Sequence, residues 1–328
     1  MGAPDRATLN RRQALRALGV AGLAAGLTGP LAGCSSPFTD LRLTIATGGT
    51  QGVYYALGGA LADAWQQHLG LAARPAVLAT AGSVQNLTLL SSGQADVVFS
   101  QVDTGADLLE ATPQGDPRSP RALARIYDDV VHVVVRGSSR FQRLADLRGA
   151  RVSVGAPNSG VTVIAQRLLT VAGLVTGRDL QPAQLGINES VAAMQAGTID
   201  AFFWSGGLPT AGVSELAATM PIRLLDLSDV LKPMRAEFPV YSSGTVPAAS
   251  YGIPNPISTL LVRNFLLVRA AMSDDLADAL VAALFAEQPR LAAASAAALT
   301  IDSRAAIGTQ PIPLHPGAER FYRSTKAL

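Results

Sequence analysis

Leu43-Thr-Ile-Ala-Thr-Gly-Gly-Thr-Gln-Gly-Val-Tyr-Tyr-Ala-Leu-Gly-Gly59 runs from an apolar segment through a glycine-rich turn into a helical pattern. Val53, Leu57, Leu61, Ala64 and Trp65 recur at three- and four-residue intervals and predict one buried helix face. Thr50 stands where an N-cap belongs. Gly48, Gly49 and Gly52 allow a sharp turn and close approach to a bound group, toward which the N–H groups of the first helical turn point. A helix start of this kind favours an anion. Nucleotide readings fit poorly. There is no Gly-Lys-Ser/Thr, the glycine spacing is not Gly-x-Gly-x-x-Gly, and the next strand-like run, Pro75-Ala-Val-Leu-Ala-Thr80, ends without an acid. A turn that only packs is the plainer alternative.

The same layout occurs twice. After a strand at 76–79, Ser83 reads as the cap of a helix with Val84, Leu87 and Leu90 on one face and Gly93 as its stop. Gly93-Gln-Ala-Asp96-Val-Val-Phe-Ser100 returns as a buried strand with Gln101 and Asp103 at its end. Val130–Val135 reads as a crossing strand. Arg151-Val-Ser-Val154 then enters Gly155-Ala-Pro-Asn-Ser-Gly160 and a helix, and Ser190 precedes a helix that Gly197 stops before Asp200-Ala-Phe-Phe203. Gly48 to Asp96 spans 48 positions and Gly155 to Asp200 spans 45.

Such a repeat predicts two α/β lobes, each a mostly parallel sheet flanked by helices with right-handed crossovers. Ligands of such sheets sit outside the carboxyl ends of the strands. The loops at 47–52, 80–86, 101–103, 155–162 and 204–209 are therefore expected to converge on one cleft. Residues 221–256 are punctuated by proline and resist assignment, whereas Ile257–Val268 reads as the return to the first lobe. Ser273 caps a helix, and 290–299 reads as another. The expected boundaries are 41–136 plus 257–328 for lobe 1 and 137–256 for lobe 2.

Arg6, Arg11, Arg12 and Arg16 precede an apolar stretch, Ala17 to Gly29, and then Leu31-Ala-Gly-Cys34. This is an export signal over residues 1–33, too short to span a membrane. Leu-Ala-Gly-Cys resembles the lipobox of bacterial lipoproteins. Cys34 is the only cysteine, so it makes no internal disulfide and matches a lipid attachment site. Residues 34–40 then form a tether. Asn10-Arg11-Arg12-Gln13-Ala14-Leu15-Arg16 looks like a twin-arginine signal, with Asn and Ala where Ser and Phe are usual. The whole chain has 26 basic and 24 acidic side chains. The leader holds four arginines and Asp5, leaving 22 against 23 in the mature chain. Near neutrality gives no support to a nucleic-acid partner.

Chemistry at the loop ends assigns the site. Gly48 and Gly49 with Thr50, Ser83, Ser159 and Gly160 offer backbone N–H groups to a carboxylate, and the Thr50, Ser83 and Ser159 hydroxyls add donors. Thr80 lies in the second loop, while Asn86 and Gln101 read the other end. Of Tyr54 and Tyr55, one faces the pocket and the other the core. Trp204 is either an aromatic wall, with Ser205 and Gly206 beside it, or a packed strand end. Asp103 binds an ammonium group or caps a helix, the cap being favoured, and Asp96 and Asp200 are turn residues. Arg125, Arg136 and Arg151 are open as ligand contacts, although a solvated surface position is the usual case for arginine. His68, His132 and His315 are widely separated, and neither His-Glu-x-x-His nor Gly-x-Ser-x-Gly occurs, so no enzyme, metal site or cofactor is expected. An exported hydrolase assembled in space is the weaker alternative.

Ala46-Thr-Gly-Gly-Thr-Gln-Gly-Val-Tyr-Tyr55, Gly82-Ser83 with Asn86, Gln101-Val-Asp103, the Gly155–Gly160 loop, Gly197-x-x-Asp200-Ala-Phe-Phe203 and His315-Pro-Gly-Ala318 together resemble the TAXI family. These are the extracytoplasmic solute receptors of tripartite ATP-independent periplasmic (TRAP) transporters. The resemblance covers essentially all of the mature chain. It implies a two-lobed periplasmic-binding-protein fold, type II-like, that closes on a small carboxylate such as glutamate, glutamine or 2-oxoglutarate and delivers it to an ion-gradient-driven permease. Gln51 replaces a usual glycine and Val161 a common threonine, so Thr162 is expected to supply the hydroxyl. A binding lipoprotein serving a signalling partner would share the fold.

Overall fold

The computed structural model describes Gly2 and residues 36–326. The predicted export signal, apart from Gly2, and the lipid site at Cys34 lie outside the described residues.

The first half runs β1 (Thr44–Ala46), α1 (Val53–Leu69), β2 (Ala76–Leu78), α2 (Ser83–Ser92), β3 (Val97–Gln101) and α3 (Val102–Ala111). A long strand, β4 (Pro120–Arg136), leads to β5 (Arg151–Ser153), α4 (Gly160–Val171), β6 (Gln181–Ala183), α5 (Ile187–Ala196), β7 (Ala201–Gly206) and α6 (Ala211–Thr219). Then follow β8 (Ile222–Leu224), α7 (Ser228–Glu237), β9 (Ser242–Val246), β10 (Ile257–Arg269), α8 (Asp274–Ala286), α9 (Gln288–Ala294), α10 (Ser303–Ala306) and α11 (Pro316–Ser324).

The strand order is β2-β1-β3-β10-β4-β7-β5-β6, with β8 on β4 and β9 on β10. Each half keeps a parallel block: β1 lies between β2 and β3, and β5 between β6 and β7. The sheet as a whole is mixed, because β10 runs antiparallel to β3 and β4, and β4 antiparallel to β7. These two strands carry the chain between the halves. β4 pairs with β10 from Pro120 to Val130 and with β7 from Val130 to Val135. It is longer than the β-branched run predicted, because the preceding Arg121, Arg125 and Asp128 hide a strand in which neighbouring residues are buried. The unassigned stretch 221–256 contains a helix with Pro233 inside it and a polar strand, β9, paired with β10.

One device locks both halves. Asp96 Oδ2 accepts the Thr44 N–H at 2.9 Å, and Asp200 Oδ2 accepts the Arg151 N–H at 2.9 Å. Each carboxylate thus ties the entry of its last parallel strand to the start of its first. The helices before them, α2 and α5, end at Gly93 (φ 77°) and Gly197 (φ 73°), in the left-handed region that favours glycine. Ser190, read as preceding α5, lies within it, since the helix begins three residues earlier.

Leu57, Leu61 and Trp65 of α1 are buried as their spacing predicts, and Trp65 Nε1 donates to the Leu280 carbonyl of α8 at 3.1 Å. The His315-Pro-Gly-Ala318 segment has a structural reason. His315 Nδ1 accepts the Gly317 N–H at 3.1 Å as the N-cap of α11, and Nε2 donates to the Met272 carbonyl at 3.0 Å. A Cβ on Gly317 would lie 2.1 Å from the Asp274 carbonyl oxygen, so α11 approaches α8 only with glycine there. Gly317→Ala is expected to cost about 2 kcal/mol by overpacking. Denaturant melts should show a lower midpoint, and an unchanged midpoint would contradict this contact.

Candidate functional site

Parallel strands followed by crossover helices put helix starts at the carboxyl ends of the strands. Five of these starts meet at one cavity of about 380 Å³: α1 after Gly52, α2 after Gly82, α4 after Ser159, α5 after Gly186 and α6 after Thr210. Each leaves N–H groups without intrahelical partners and presents the positive end of its dipole. No first-turn acid offsets this in α1, α2, α4 or α6, and α5 has only Glu189. Among the described residues no Arg, Lys or His lines the cavity, and the one charged residue that does is Asp129.

Asp129, on β4, is buried. Its Oδ2 accepts Gln101 Nε2–H at 2.8 Å and Ser205 Oγ–H at 3.1 Å, and Gln101 Nε2 also donates to Ser205 Oγ at 2.9 Å. Both amide hydrogens of Gln101 are thereby used. Its Oε1 is turned toward Gly160, where a Cβ would stand 1.8 Å away, so α4 can begin this close only with glycine. Oε1 of Gln101 and Oδ1 of Asp129 have no hydrogen-bond partner. Burial pushes the Asp129 carboxyl up to about 6, against the donors Gln101 and Ser205, with Tyr127 and Asn264 also beside it.

Gly48, Gly49, Tyr54, Thr80, Ser83, Gln101, Ser159, Gly160, Trp204, Ser205 and Gly206 all stand in the cavity wall. Tyr54, not Tyr55, is the tyrosine that faces it. Its ring stacks on Phe99 at 5.0 Å, and its hydroxyl bonds to Asn264 Oδ1. Trp204 Nε1 donates to Thr210 Oγ1 at 3.1 Å, holding the indole over Gly206. Ser83 is the first helical residue, Gly82 occupying the N-cap, and Ser83 Oγ accepts the Gln101 N–H at 3.1 Å.

Five predicted residues lie outside the wall. Thr50 is exposed in the turn, and the N-cap is Gly52. Tyr55 sits on another side of α1, as adjacent helical residues must. Asn86 is a buried strut whose Nδ2 donates to the Thr47 and Phe99 carbonyls. Thr162 turns its hydroxyl back to the Ala156 carbonyl at 2.7 Å, so it does not replace the missing threonine. Asp103 does not reach the cavity: Gln101 holds the N-cap position of α3, Asp103 Oδ1 accepts the first-turn Thr104 N–H at 2.7 Å, and Oδ2 accepts Tyr241 Oη–H at 2.6 Å, with Arg167 3.8 Å away. Burial raises its pKa. The surface arginines are occupied elsewhere, Arg125 with Asp128, Arg151 with Asp200 and Arg136 with the Met194 carbonyl.

Residue-level reading missed Asp129, Tyr127 and the start of α5. The signal for the first two was an acid beside an aromatic residue just ahead of the β-branched run. It also missed what positions α6. His132 Nδ1–H donates to the Val130 carbonyl at 2.8 Å, leaving Nε2 to accept the Tyr251 hydroxyl at 3.0 Å; that oxygen accepts the Thr210 N–H at 2.7 Å. Burial holds His132 down to about 4, so this tautomer is neutral at pH 7. Among the described residues no group of His, Cys, Asp and Glu is arranged to hold a metal, and no helix is long and apolar enough to cross a membrane.

The NMT1-like family matches residues 45–325. The chain belongs to that family. Solved structures similar to this NMT1-like protein include XAC2383 from Xanthomonas citri bound to ATP, 16% identical over 86% of this chain and 98% of that one, with TM-score 0.52. A periplasmic transporter is 15% identical over 87% and 92% of the two chains, with TM-score 0.50. The periplasmic aliphatic sulphonate binding protein SsuA from Escherichia coli is 16% identical over 87% and 88%, with TM-score 0.45. For the first two, at these identities, the likeness is one of fold. The NMT1-like chain has the two-lobed α/β architecture of periplasmic binding proteins, with mixed sheets flanked by helices.

Asp129 gives the folded protein a pH signature. Its pKa rises from 3.8 to about 6, so between these values the folded state keeps a proton that the unfolded chain releases. The stability this proton supplies is full below about pH 4 and is lost as pH rises through about 6, a change of about 3 kcal/mol at ~1.4 kcal/mol per unit. Denaturant melts from pH 4 to 7 should therefore show wild type losing stability relative to Asp129→Asn. Parallel profiles would contradict the burial of an uncompensated carboxyl.

Proposed function

We propose that this NMT1-like protein is the solute receptor of a TRAP transporter. A small carboxylate, in the class of glutamate, glutamine or 2-oxoglutarate, is captured in the cavity between the halves and delivered to an ion-gradient-driven permease in the membrane. The mature chain works outside the cytoplasm, held at the bacterial cell membrane by lipid on Cys34 after export, with the twin-arginine run as the route. No cofactor, metal or nucleic acid takes part.

The observation that carries this reading is the convergence of five helix starts on a wall that contains no basic side chain. Aligned peptide dipoles and unpaired N–H groups receive an anion at such a place, and the cavity has the size usual for small-ligand sites, roughly 300–1,000 Å³. Gly48, Gly49, Ser83, Ser159 and Gly160 are the proposed carboxylate contacts. Tyr54, Thr80, Gln101, Trp204, Ser205 and Gly206 shape the remainder of the site. The TRAP partner rests on the resemblance of the ordered motifs from Ala46 to Ala318.

Mass spectrometry of the compound released when the purified protein is denatured tests this directly. One carboxylate per chain is expected. Returned to refolded protein at about 100 times its Kd, it should add about 2.7 kcal/mol of stability and raise Tm accordingly. A released nucleotide or other phosphorylated compound would contradict the carboxylate site.

A further inference from the structure

The helix starts account for an anion, but they do not account for Asp129 and Gln101. Both line the cavity, and both are at most 3% exposed. Each keeps one acceptor atom, Asp129 Oδ1 and Gln101 Oε1, without a partner. Neither side chain can satisfy the other by turning. A flip of the Gln101 amide would set Oε1 against Asp129 Oδ2 and the Ser205 hydroxyl oxygen, two atoms now held by its N–H groups at 2.8 and 2.9 Å. Buried acceptors left this way cost roughly 1–3 kcal/mol each, more when charged. Such a pair is retained where something else brings donors.

The charge balance says which donors. Among the described residues Asp129 is the only charged side chain in the wall, so a solute that carried only negative charge would face one uncompensated carboxylate among helix starts. A cationic nitrogen on the solute removes both difficulties, since an ammonium group has three N–H donors and no acceptor. Elsewhere the wall is mostly apolar, with Val53, Val161, Leu185, Ile187, Trp204 and Pro209 beside the neutral polar Gln51, Asn188 and Thr210.

We infer that the solute is a neutral amino acid with an apolar side chain. Its carboxylate lies at the helix starts, and its ammonium group is received by Asp129 and Gln101. This inference rests on the carboxylate-receptor reading above and narrows it, since amine-free and dicarboxylate solutes leave the two acceptors or the apolar wall unmatched.

Isothermal titration calorimetry of the purified full chain with matched pairs tests it: L-valine, L-leucine and L-phenylalanine against their 2-oxo acids, and L-glutamate against 2-oxoglutarate. At least one neutral amino acid should bind at least 100-fold tighter than its own 2-oxo acid. Asp129→Asn should remove most of that ratio by weakening the amino acid, while the 2-oxo acid, relieved of a like charge, binds no more weakly than to wild type. The wild-type comparison stands even where the variant fails to fold. If 2-oxo acids bind as tightly as their amino acids, the ammonium site is overturned, and if only the dicarboxylates bind, the apolar side chain is overturned; in both cases the carboxylate receptor survives. If no member of the panel binds, both readings are overturned.

Discussion

A strand that feeds a helix returning to a parallel neighbour must place the helix N-terminus at the strand's carboxyl end. That constraint, applied twice in the first half and three times in the second, accounts for most of this site. β1 leads into α1, β2 into α2, β5 into α4, β6 into α5 and β7 into α6. The strands β4 and β10, running antiparallel to their neighbours through both halves, then set the two groups of helix starts face to face. A positive field at the cavity arises with no basic side chain in its wall among the described residues. Fixed backbone dipoles cannot be neutralised by a shift of pKa or lost to a rotamer change, which suits a site that must be empty and full in turn.

Asp129 works against this field and is shaped by it. Desolvation raises its pKa while Gln101 and Ser205 hold one of its oxygens. The position brings the two halves together chemically. Gln101 ends β3 in the first half, Ser205 belongs to β7 in the second, and Asp129 sits on β4 one residue before its partner changes from β10 to β7. Farther from the cavity, Asp103 and Asp107 on α3 meet Arg167 on α4, a second bond between the halves.

What could be read from the sequence was what the local chain decides. Gly155, at φ 94°, needs the residue the sequence supplies, whereas Gly48 and Gly49 have ordinary φ and room for a side chain; the paired Gly-x-x-Asp segments announced both strand entries. Tyr54 and Tyr55 showed that periodicity can place one residue in a pocket without telling which. What stayed hidden depends on partners far along the chain. Asp103 looked like a cap because it follows a strand, yet its hydroxyl donor, Tyr241, lies 138 positions away. Thr162 looked available, but the Ala156 carbonyl six positions back takes its hydroxyl hydrogen. Asp129 was missed because a strand crossing between two halves has no constant inner face, so alternation does not tell which of Tyr127, Asp128 and Asp129 is buried.

The most direct test uses the protein's two tryptophans. Trp65 is fully buried between α1 and α8, and Trp204 stands in the cavity wall. Emission should be followed while wild type and Trp204→Phe are titrated with the small carboxylates and neutral amino acids, with calorimetry reporting binding in parallel. If the solute enters between the halves, the emission changes in wild type and is silent in Trp204→Phe, although that variant still binds. A change of the same size in Trp204→Phe would place the solute's effect at Trp65 and contradict the site.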